Sequence, residues 1–239
     1  MAITVNGTAT TAISATSCSA PGSIVAGELL VAWVLTVNVA SDVTGPSGWT
    51  RQRKQTTTNT ANGLGAEVYW FTKVATGSEP GSYTFTFSGG ASNGDIAIFR
   101  LGGQDWSAPV GTNAGASWGG GASSAGPWAN AGLTTAVVNN GVCFGWGDWW
   151  TPGPTSGETY TSPLAEIVMF DAGANYVAFG TFGSAGATGS KNLGGTASAF
   201  GPGTISLEIN NADLTLVTEL HGRPFGLHGQ VQMQQLLAQ

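Results

Sequence analysis

The sequence predicts an all-β protein, an antiparallel β-sandwich of about ten strands. Three observations favour this class. Apolar and polar residues alternate at a period of two in many short segments, frequent glycines mark turns, with 38 among the 239 residues, and no segment before Asn210 predicts a helix. A chain of this length buries roughly 70% of its unfolded surface, so neither a metal nor a disulfide is required for folding.

The longest apolar run spans residues 27–39 and predicts the central strand. At a period of two it places Leu29 and Trp33 on one face and Leu30, Ala32 and Val34 on the other, so both faces are apolar. The run is too short for a membrane helix and too rich in β-branched and aromatic residues for a soluble one. We therefore expect its outer face, Leu30, Ala32 and Val34, to be covered by a loop or by another subunit.

Shorter alternating segments predict the remaining strands. The clearest is 82–88, with Tyr83, Phe85 and Phe87 directed inward. Residues 102–132 are rich in Gly, Ala and Ser and predict a long loop that is either functional or wrapped over the sandwich. Residues 184–195 predict a second glycine-rich connection. The other expected strands are 3–5, one that starts at 49, 67–75, 95–101, 136–146, 166–171, 176–182 and 204–210.

The charge pattern disfavours nucleic acid and anionic membranes as partners, because the net charge is −6 and only 8% of residues are charged. The one basic cluster, Arg51, Arg53 and Lys54, is typical of a solvated strand face or a protected sheet edge. Cys18 and Cys143 lack metal-ligand spacing and are expected to be unpaired, buried thiols. The N-terminus lacks the features of a signal peptide, so we expect the protein to remain in the cytosol that makes it.

Five segments carry a family resemblance: Gly-Glu-Leu-Leu-Val-Ala-Trp-Val, Pro-Ser-Gly-Trp-Thr, Val-Tyr-Trp-Phe-Thr-Lys-Val-Ala, Gly-Ser-Tyr-Thr-Phe-Thr-Phe-Ser and Asp-Ile-Ala-Ile-Phe-Arg-Leu-Gly-Gly. This pattern resembles a family of β-sandwich modules found in structural proteins of tailed bacteriophages, over about residues 27–210. The resemblance implies a jelly-roll-like sandwich and a place on the virion exterior, as a capsid decoration, head-fibre or tail-fibre component. It carries no catalytic residues over to this sequence.

The sequence changes character after Asn211, so we place the sandwich domain at residues 1–211 and a C-terminal arm at 212–239. The apolar spacing near the end of the arm predicts a small helix of about two turns, which must dock because such a helix is marginal alone. We expect the arm to anchor the protein or to exchange between subunits; the alternative is that it folds back on its own domain. The expected contact residues are Leu214, Leu216, Leu220, Arg223, Phe225, Met233, Leu236 and Leu237.

Catalytic chemistry finds weak support in the sequence. A glycosidase needs two carboxylates facing one sugar, and nothing fixes the candidates Asp148 and Glu158 as a pair. A serine hydrolase needs a base, but His221 and His228 both lie in the arm, away from any nucleophile elbow. These histidines are expected to be solvated turn residues rather than metal ligands. We therefore expect a protein that is not an enzyme and uses no metal or cofactor.

Binding of a host-surface glycan is a more specific alternative function than catalysis. Exposed aromatic side chains beside Asp or Asn stack on sugar rings and hydrogen-bond their hydroxyls. Against this, Trp in a large sandwich is usually core, and Trp146 and Trp149 could cap the two sheets. The candidate glycan contacts are Trp118, Trp128, Asp148, Trp149 and Trp150.

The function expected from these patterns is that of a non-enzymatic structural protein on the virion exterior, made in the host cytoplasm. A capsid decoration (cement) protein is favoured, because the chain lacks the long repetitive shaft of a complete tail fibre. The expected partners are the major capsid protein or another virion protein, and sister copies in a homotrimer, which suits the threefold positions of an icosahedral shell. The candidate trimer surfaces are the outer face of the central strand and the glycine-rich Trp loops. The alternatives are a tail-fibre or baseplate module that recognises host carbohydrate and a bacterial surface adhesion module.

Overall fold

A computed structural model describes residues 2–37, 42–56, 66–89, 91, 93–117, 124–125, 128–136, 139–147, 159–170, 175–194, 198–199 and 203–212. Within these ranges the regular structure consists of 22 β-strands and no helix. Every strand pair is antiparallel, so the predicted antiparallel all-β class is confirmed. The same ranges contain no helix long and apolar enough to cross a membrane.

The first half of the chain forms one unit, which we call repeat 1. Its strands are β1 (Thr4–Val5), β2 (Thr10–Ala15), β3 (Ser17–Ser19), β4 (Leu29–Val37), β5 (Asp42–Thr44), β6 (Thr50–Thr56), β7 (Ala66–Val74), β8 (Ser82–Thr84), β9 (Thr86–Ser88) and β10 (Gly94–Gly102). Its large sheet has the order β1-β10-β4-β7-β6, and β2 also pairs with β10. The pairs β3-β8 and β5-β9 form an outer layer, in which only Phe85 separates β8 from β9.

The second half forms repeat 2. Its strands are β11 (Val110–Ser117), β12 (Ser124–Ala125), β13 (Trp128–Asn130), β14 (Thr134–Thr135), β15 (Asn140–Gly147), β16 (Thr159–Tyr160), β17 (Ala165–Phe170), β18 (Asn175–Phe182), β19 (Gly186–Ala187), β20 (Lys191–Gly194), β21 (Ser198–Ala199) and β22 (Gly203–Ile209). Its large sheet has the order β11-β22-β15-β18-β17, and its outer layer contains β13-β20-β16 and the pairs β14-β19 and β12-β21.

The two repeats share one topology. In each large sheet the first strand of the repeat lies beside the last strand of that repeat. The order then continues with β4, β7 and β6 in repeat 1 and with β15, β18 and β17 in repeat 2. The outer layers also correspond. In repeat 1, β3 precedes β4 and β5 follows it, and these two strands flank β8 and β9. In repeat 2, β13 precedes β15 and β16 follows it, and these two strands flank β20. This alternation between two sheets is jelly-roll-like. The expectation of about ten strands missed the duplication, because corresponding strands differ in residue type, with Trp33 in β4 and Gly145 in β15.

Three hydrophobic cores separate four layers of strands. The inner core lies between the two large sheets and joins Trp33, Trp70 and Phe99 of repeat 1 to Ile205 and Leu207 of repeat 2. Each large sheet also covers an outer core with its own outer strands. Outer core 1 includes Leu30, Ala32, Val34, Trp49, Tyr69, Phe71, Tyr83 and Phe85. Outer core 2 includes Leu133, Val142, Phe144, Trp146, Tyr176 and Leu193.

The predicted central strand is confirmed as β4, which pairs with β10 on one side and β7 on the other. Both of its faces are buried: Trp33 and Leu35 enter the inner core, whereas Leu30, Ala32 and Val34 are 0% exposed in outer core 1. Strands β3, β5, β8 and β9 of the same chain provide the cover. The expectation that this face is a trimer surface is therefore wrong, because no part of it remains for another subunit.

Large side chains of repeat 1 fit against glycines of repeat 2 in the inner core. A Cβ atom at Gly145 would lie 2.3 Å from Trp33 Cζ3, and one at Gly147 would lie 2.7 Å from Leu35 Cδ1. Trp33 also packs against Trp70, with ring centroids 4.8 Å apart. Because protein interiors are close-packed, the missing side chains on β15 are what allows the two large sheets to approach.

Two segments expected to be glycine-rich connections contain strands. Residues 102–132 include β11, which pairs with β22 from Ser117 back to Val110, and residues 184–195 include β20, which pairs with β13 and β16. Neither strand has apolar alternation strong enough to predict it. Each is formed because a neighbouring strand offers backbone hydrogen-bond partners.

The strands of both large sheets end at two common poles. At the loop pole, Thr36 lies opposite Gly94, and both Ser117 and Gly147 lie opposite Gly203. At the arm pole, Leu29 lies opposite Leu101, Val110 lies opposite Ile209, and the described chain ends at Ala212. A strand of the length of β11 separates the poles by about 25 Å.

The cysteines and the basic cluster lie where the sequence places them. Cys18 and Cys143 are buried free thiols, and burial raises the pKa of both. Arg51, Arg53 and Lys54 lie on β6, which is an edge strand of its sheet. Positive charge on an exposed edge disfavours pairing with another chain.

Candidate functional site

The predicted glycan contacts lie mostly outside the described residues: Trp118, Asp148, Trp149 and Trp150 are among them. Trp128 is the first residue of β13 and lies opposite Leu193. The described neighbours of the other candidates are nonetheless close together. Ser117, which precedes Trp118, and Gly147, which precedes Asp148, lie opposite Gly203 on the two sides of β22. Since neighbouring strands are about 4.8 Å apart, the chain leaves these two strands about 10 Å apart at the loop pole.

The predicted anchoring residues also lie outside the described residues, as do His221 and His228, because the description ends at Ala212. The start of the arm is well defined. Ala212 N donates to Gly103 O over 3.1 Å, and Asp105 N donates to Asn210 O over 2.8 Å. The arm therefore begins beside the connection that joins the two repeats.

Acidic side chains serve as hydrogen-bond acceptors inside the fold. Eight of the 13 acidic residues fall within the described ranges, and each accepts a hydrogen bond from another residue of the chain. The donors include Arg100 for Glu28, Arg51 for Asp42, Tyr69 for Glu67, Lys73 for Glu79, Ser14 for Asp95, Ser107 for Asp105, Tyr160 for Glu166 and Asn140 for Glu208.

Two buried polar clusters occupy corresponding places in the repeats. In repeat 1, Arg100 lies opposite Leu30 on β4 and its Nη1 donates to Glu28 Oε2 over 2.8 Å. In repeat 2, Glu208 lies opposite Val142 on β15 and accepts from Asn140 Nδ2 over 2.6 Å. Both clusters lie at the arm pole.

Hydrogen bonds keep these carboxylates ionised. Burial acts to raise the pKa of Glu28, but donation from Val25 N, Asn6 and Arg100 outweighs it and lowers the pKa. Burial likewise opposes ionisation of Glu208, and donation from the Thr112 backbone, Asn140 and Ala136 lowers its pKa. Because these donors face the carboxylates, both groups are structural acceptors.

A third carboxylate cluster lies under the turn after β7. Burial acts to raise the pKa of Glu79, but hydrogen bonds from Lys73, Tyr83 and Thr76 lower it to about 2. The Tyr83 hydroxyl donates to Glu79 Oε2 over 2.6 Å, and burial together with this bond raises the pKa of Tyr83. The phenol therefore remains a neutral donor.

Asp95 joins the two repeats near the loop pole. Its Oδ1 accepts from Ser14 N over 2.9 Å, and its Oδ2 accepts from Asn175 Nδ2 over 3.0 Å. Burial raises the pKa of Asp95 despite both hydrogen bonds. Asn175 Oδ1 in turn accepts from Trp33 Nε1 over 3.3 Å, so one amide of repeat 2 bonds two side chains of repeat 1.

Trp106 is the most exposed large hydrophobic residue of the described chain and projects from the arm pole. It is 69% exposed. Val25, which precedes Gly27 by two residues, is 61% exposed. The Trp106 ring rests on Gly27, where a Cβ atom would lie 2.0 Å from Cη2. Asp105 Oδ1 accepts from Ser107 N over 2.7 Å, which fixes the turn that carries the ring.

The sequence places Trp106 in the glycine-rich Trp loop of residues 102–132, a candidate trimer surface, but Trp106 is not among the individual contact residues that it predicts. A signal was available in Asp105-Trp106-Ser107, because an Asp two residues before a Ser favours an Asx-turn, and such a turn lies on the surface. The apolar ring at its tip is then exposed unless another element covers it.

A groove of about 520 Å³ opens at the same pole, between the two repeats. Leu29 and Val74 of repeat 1 and Pro109 and Val110 of repeat 2 form its apolar walls. Pairing of β6 with β7 begins at Thr50 opposite Thr72. Lys73 and Val74, which line the groove, therefore extend beyond the paired part of β6.

The described residues contain no group of three or more His, Cys, Asp or Glu side chains arranged to hold a metal ion. No protein-family model, no curated protein and no solved structure matches this chain.

Proposed function

We propose that this chain is a non-enzymatic structural protein on the exterior of a tailed-phage virion, and that it decorates the capsid as a cement protein. Its partners are the major capsid protein or another virion protein, and sister copies in a homotrimer. Such a protein stabilises the shell by adding buried area across junctions between capsid subunits, and symmetric assembly multiplies each contact. No chemical reaction is required.

One observation carries the proposal: the Trp106 ring packs on Gly27 and is left exposed beside the start of the arm. Gly103 accepts the hydrogen bond of Ala212, and Trp106 follows it by three residues. Tryptophan is enriched among the residues that dominate the energy of protein interfaces, and a ring fixed before binding loses little entropy. The arm pole therefore supports attachment through Trp106 together with the arm.

The use of carboxylates supports a structural role. The described acidic side chains accept hydrogen bonds from the chain itself, and such bonds lower the pKa values of three that are at least partly buried, Glu28, Glu79 and Glu208. General acid catalysis needs a carboxyl group whose pKa is raised towards the working pH and which faces a substrate. The pKa values of these three carboxyl groups are lowered instead.

The proposal is tested by co-sedimentation of the full-length protein with capsids of the encoding phage that lack it. We expect saturable binding, and we expect Trp106→Ala to weaken it by about tenfold, as loss of an interface anchor does. Ile13→Ala is the matched control, because Ile13 is 46% exposed on β2. Absence of the wild-type protein from the capsid pellet would refute the decoration role, and equal binding by both variants would refute the role of Trp106.

The assembly state is tested separately by light scattering. We expect the mass of three chains for the full-length protein, and a lower mass for a chain that ends at Asn211. A full-length monomer would contradict the homotrimer and leave capsid binding to be decided by co-sedimentation.

Recognition of host carbohydrate by a tail-fibre or baseplate protein is the second candidate function. It is favoured by the position of Ser117 and Gly147, which bring the starts of the segments with Trp118 and Asp148 to one pole. A glycan array probed with full-length protein tests it, with Trp149→Ala as the comparison. Binding that is abolished by Trp149→Ala supports this function, and a blank array of host-surface polysaccharides opposes it.

A further inference from the structure

We propose that the groove at the arm pole is the docking site for the first apolar residues of the arm of the same chain, Leu214 and Leu216. This inference rests on the proposed anchoring role of the arm and assigns it a site. The remainder of the arm is then directed from a fixed point towards the capsid or the sister subunit.

The position of the chain end is the first argument. Asn210 N donates to Pro109 O over 2.9 Å, and Pro109 forms part of the groove wall. Leu214 follows Asn210 by four residues, which span at most about 14 Å when extended. The groove is therefore within reach of the first residues after Ala212 without any rearrangement of the sandwich.

A line of hydrogen bonds also connects the chain end to the opposite wall. Asn211 forms a bridge with Gln104, whose side chain donates to Gly27 O. Gly27 N donates to Ala75 O over 2.8 Å, and Ala75 follows Val74 of the groove. The arm thus begins on the same rigid framework that shapes the groove.

The groove offers apolar and polar contacts to an uncharged extended segment. Its lining includes Pro109, Val110 and Val74, which is 38% exposed, beside the polar Thr50, Gln52 and Thr72. Lys73 also lines it and is paired with Glu79, so such a segment does not meet an unpaired Lys73. Beyond Thr72, β7 has no partner in β6, which leaves an edge where an added strand gains backbone hydrogen bonds.

The first apolar residues of the arm have a matching pattern over a short segment. Leu214 and Leu216 flank Thr215, whereas Val217 falls on the Thr215 face at a period of two. An apolar-polar-apolar order over residues 214–216 is compatible with a short extended segment that has one apolar face. The two leucines would meet the apolar walls while Thr215 faces away.

Disulfide trapping in the full-length protein tests the site directly. The variant Leu216→Cys is combined with Val74→Cys, and the control combines Leu216→Cys with Ile13→Cys, since Ile13 is exposed to a similar extent on a distant strand. Native Cys18 and Cys143 are buried and do not compete. We expect crosslinking with Val74→Cys to be at least about tenfold faster than with Ile13→Cys. We expect the crosslinked product to be monomeric; a dimeric product, or equal rates for the two pairs, would overturn the proposal.

Hydrogen exchange provides a second readout that needs no cysteine. Amides of residues 213–218 should be protected in the full-length protein, and Val74→Glu should remove that protection while Ile13→Glu leaves it. Unprotected amides in the wild-type protein, or protection that survives Val74→Glu, would overturn the docking site. Neither outcome alters the capsid-binding test, so failure of this proposal is distinguishable from failure of the decoration role.

Discussion

Single glycines on β15 determine how closely the two repeats pack. Gly145 faces Trp33 across the inner core, and a Cβ atom there would meet the Trp33 ring at 2.3 Å. The indole has little freedom to move, because Trp70 packs against it and Asn175 accepts its N–H. The fit of the Trp33 side chain on β4 against Gly145 on β15, which has no side chain, is therefore specific to this pair of strands.

Gly145→Ala tests this fit. We expect a loss of about 2 kcal/mol in the free energy of unfolding, because overpacking a close-packed core typically costs about 1–3 kcal/mol. Urea denaturation followed by fluorescence measures it. Gly183→Ala is the control, since nothing lies within 4 Å of a Cβ atom there. Equal stability of the two variants would show that the inner core tolerates the added methyl group.

Buried carboxylates should make the protein sensitive to acid. The pKa values of Glu28, Glu79 and Glu208 lie below the ordinary value of 4.5, so their stabilisation is present above that pH and is lost as pH falls through the folded-state pKa, about 2 for Glu79. Asp95 acts in the opposite sense: its raised pKa gives stabilisation below pH 3.8 that declines as the pH rises.

Four described carboxylates, these three and Asp105, have lowered pKa values and one, Asp95, has a raised value, so we expect the urea midpoint to fall between about pH 5 and about pH 2.5. Glu79→Gln should make that fall shallower, because the Gln side chain does not titrate. A midpoint that stays constant or rises on acidification would contradict the assignment of these groups as ionised structural acceptors.

Among the elements, the sequence correctly predicts the strands whose own residues alternate between apolar and polar. The segments that became β4, β8 with β9, and β22 have apolar residues at a period of two, and their inward faces are as expected. Strands β11 and β20 were missed because Gly, Ala, Asn and Thr carry no such period. Their conformation depends on partners that lie far along the chain, β22 for β11 and β13 for β20.

Asn175 on β18 forms hydrogen bonds with two side chains of repeat 1. Asn175→Ala would leave Trp33 Nε1 and one oxygen of Asp95 without their partners in a buried site. We expect a loss of about 2–4 kcal/mol, because each unsatisfied buried polar group costs about 1–3 kcal/mol. Thermal unfolding measures the effect, with Asn192→Ala as the control on β20. A change below about 0.5 kcal/mol would show that the amide does not hold the repeats together.

At the scale of the whole molecule, the duplication creates a body with two different ends. The arm pole carries Trp106, the groove and the start of the arm, whereas Ser117 and Gly147 end at the loop pole. This polarity could not be predicted from the sequence, because it depends on which strand ends coincide. The sequence shows the residue types of the predicted glycan site and of the arm, but it does not show that Ser117 and Gly147 are separated from the start of the arm at Ala212 by the length of the sandwich.

The shared inner core should make the two repeats unfold together. Both repeats bury apolar side chains there, among them Trp33, Trp70 and Ile205, so separating the repeats would expose one face of each large sheet. We expect one transition with the same midpoint by far-ultraviolet circular dichroism and by Trp fluorescence. Two separated transitions would show that each repeat is stabilised mainly by its own outer core.

The proposed role of the protein is decoration of a capsid through the arm pole. Electron cryo-microscopy of capsids saturated with full-length protein tests it most directly. We expect added density at the junctions between capsid subunits, with the end that carries Trp106 and Ala212 against the shell and the loop pole outward. Saturated capsids without added density would contradict the decoration role, and density attached by the loop pole would contradict the assignment of the attachment surface.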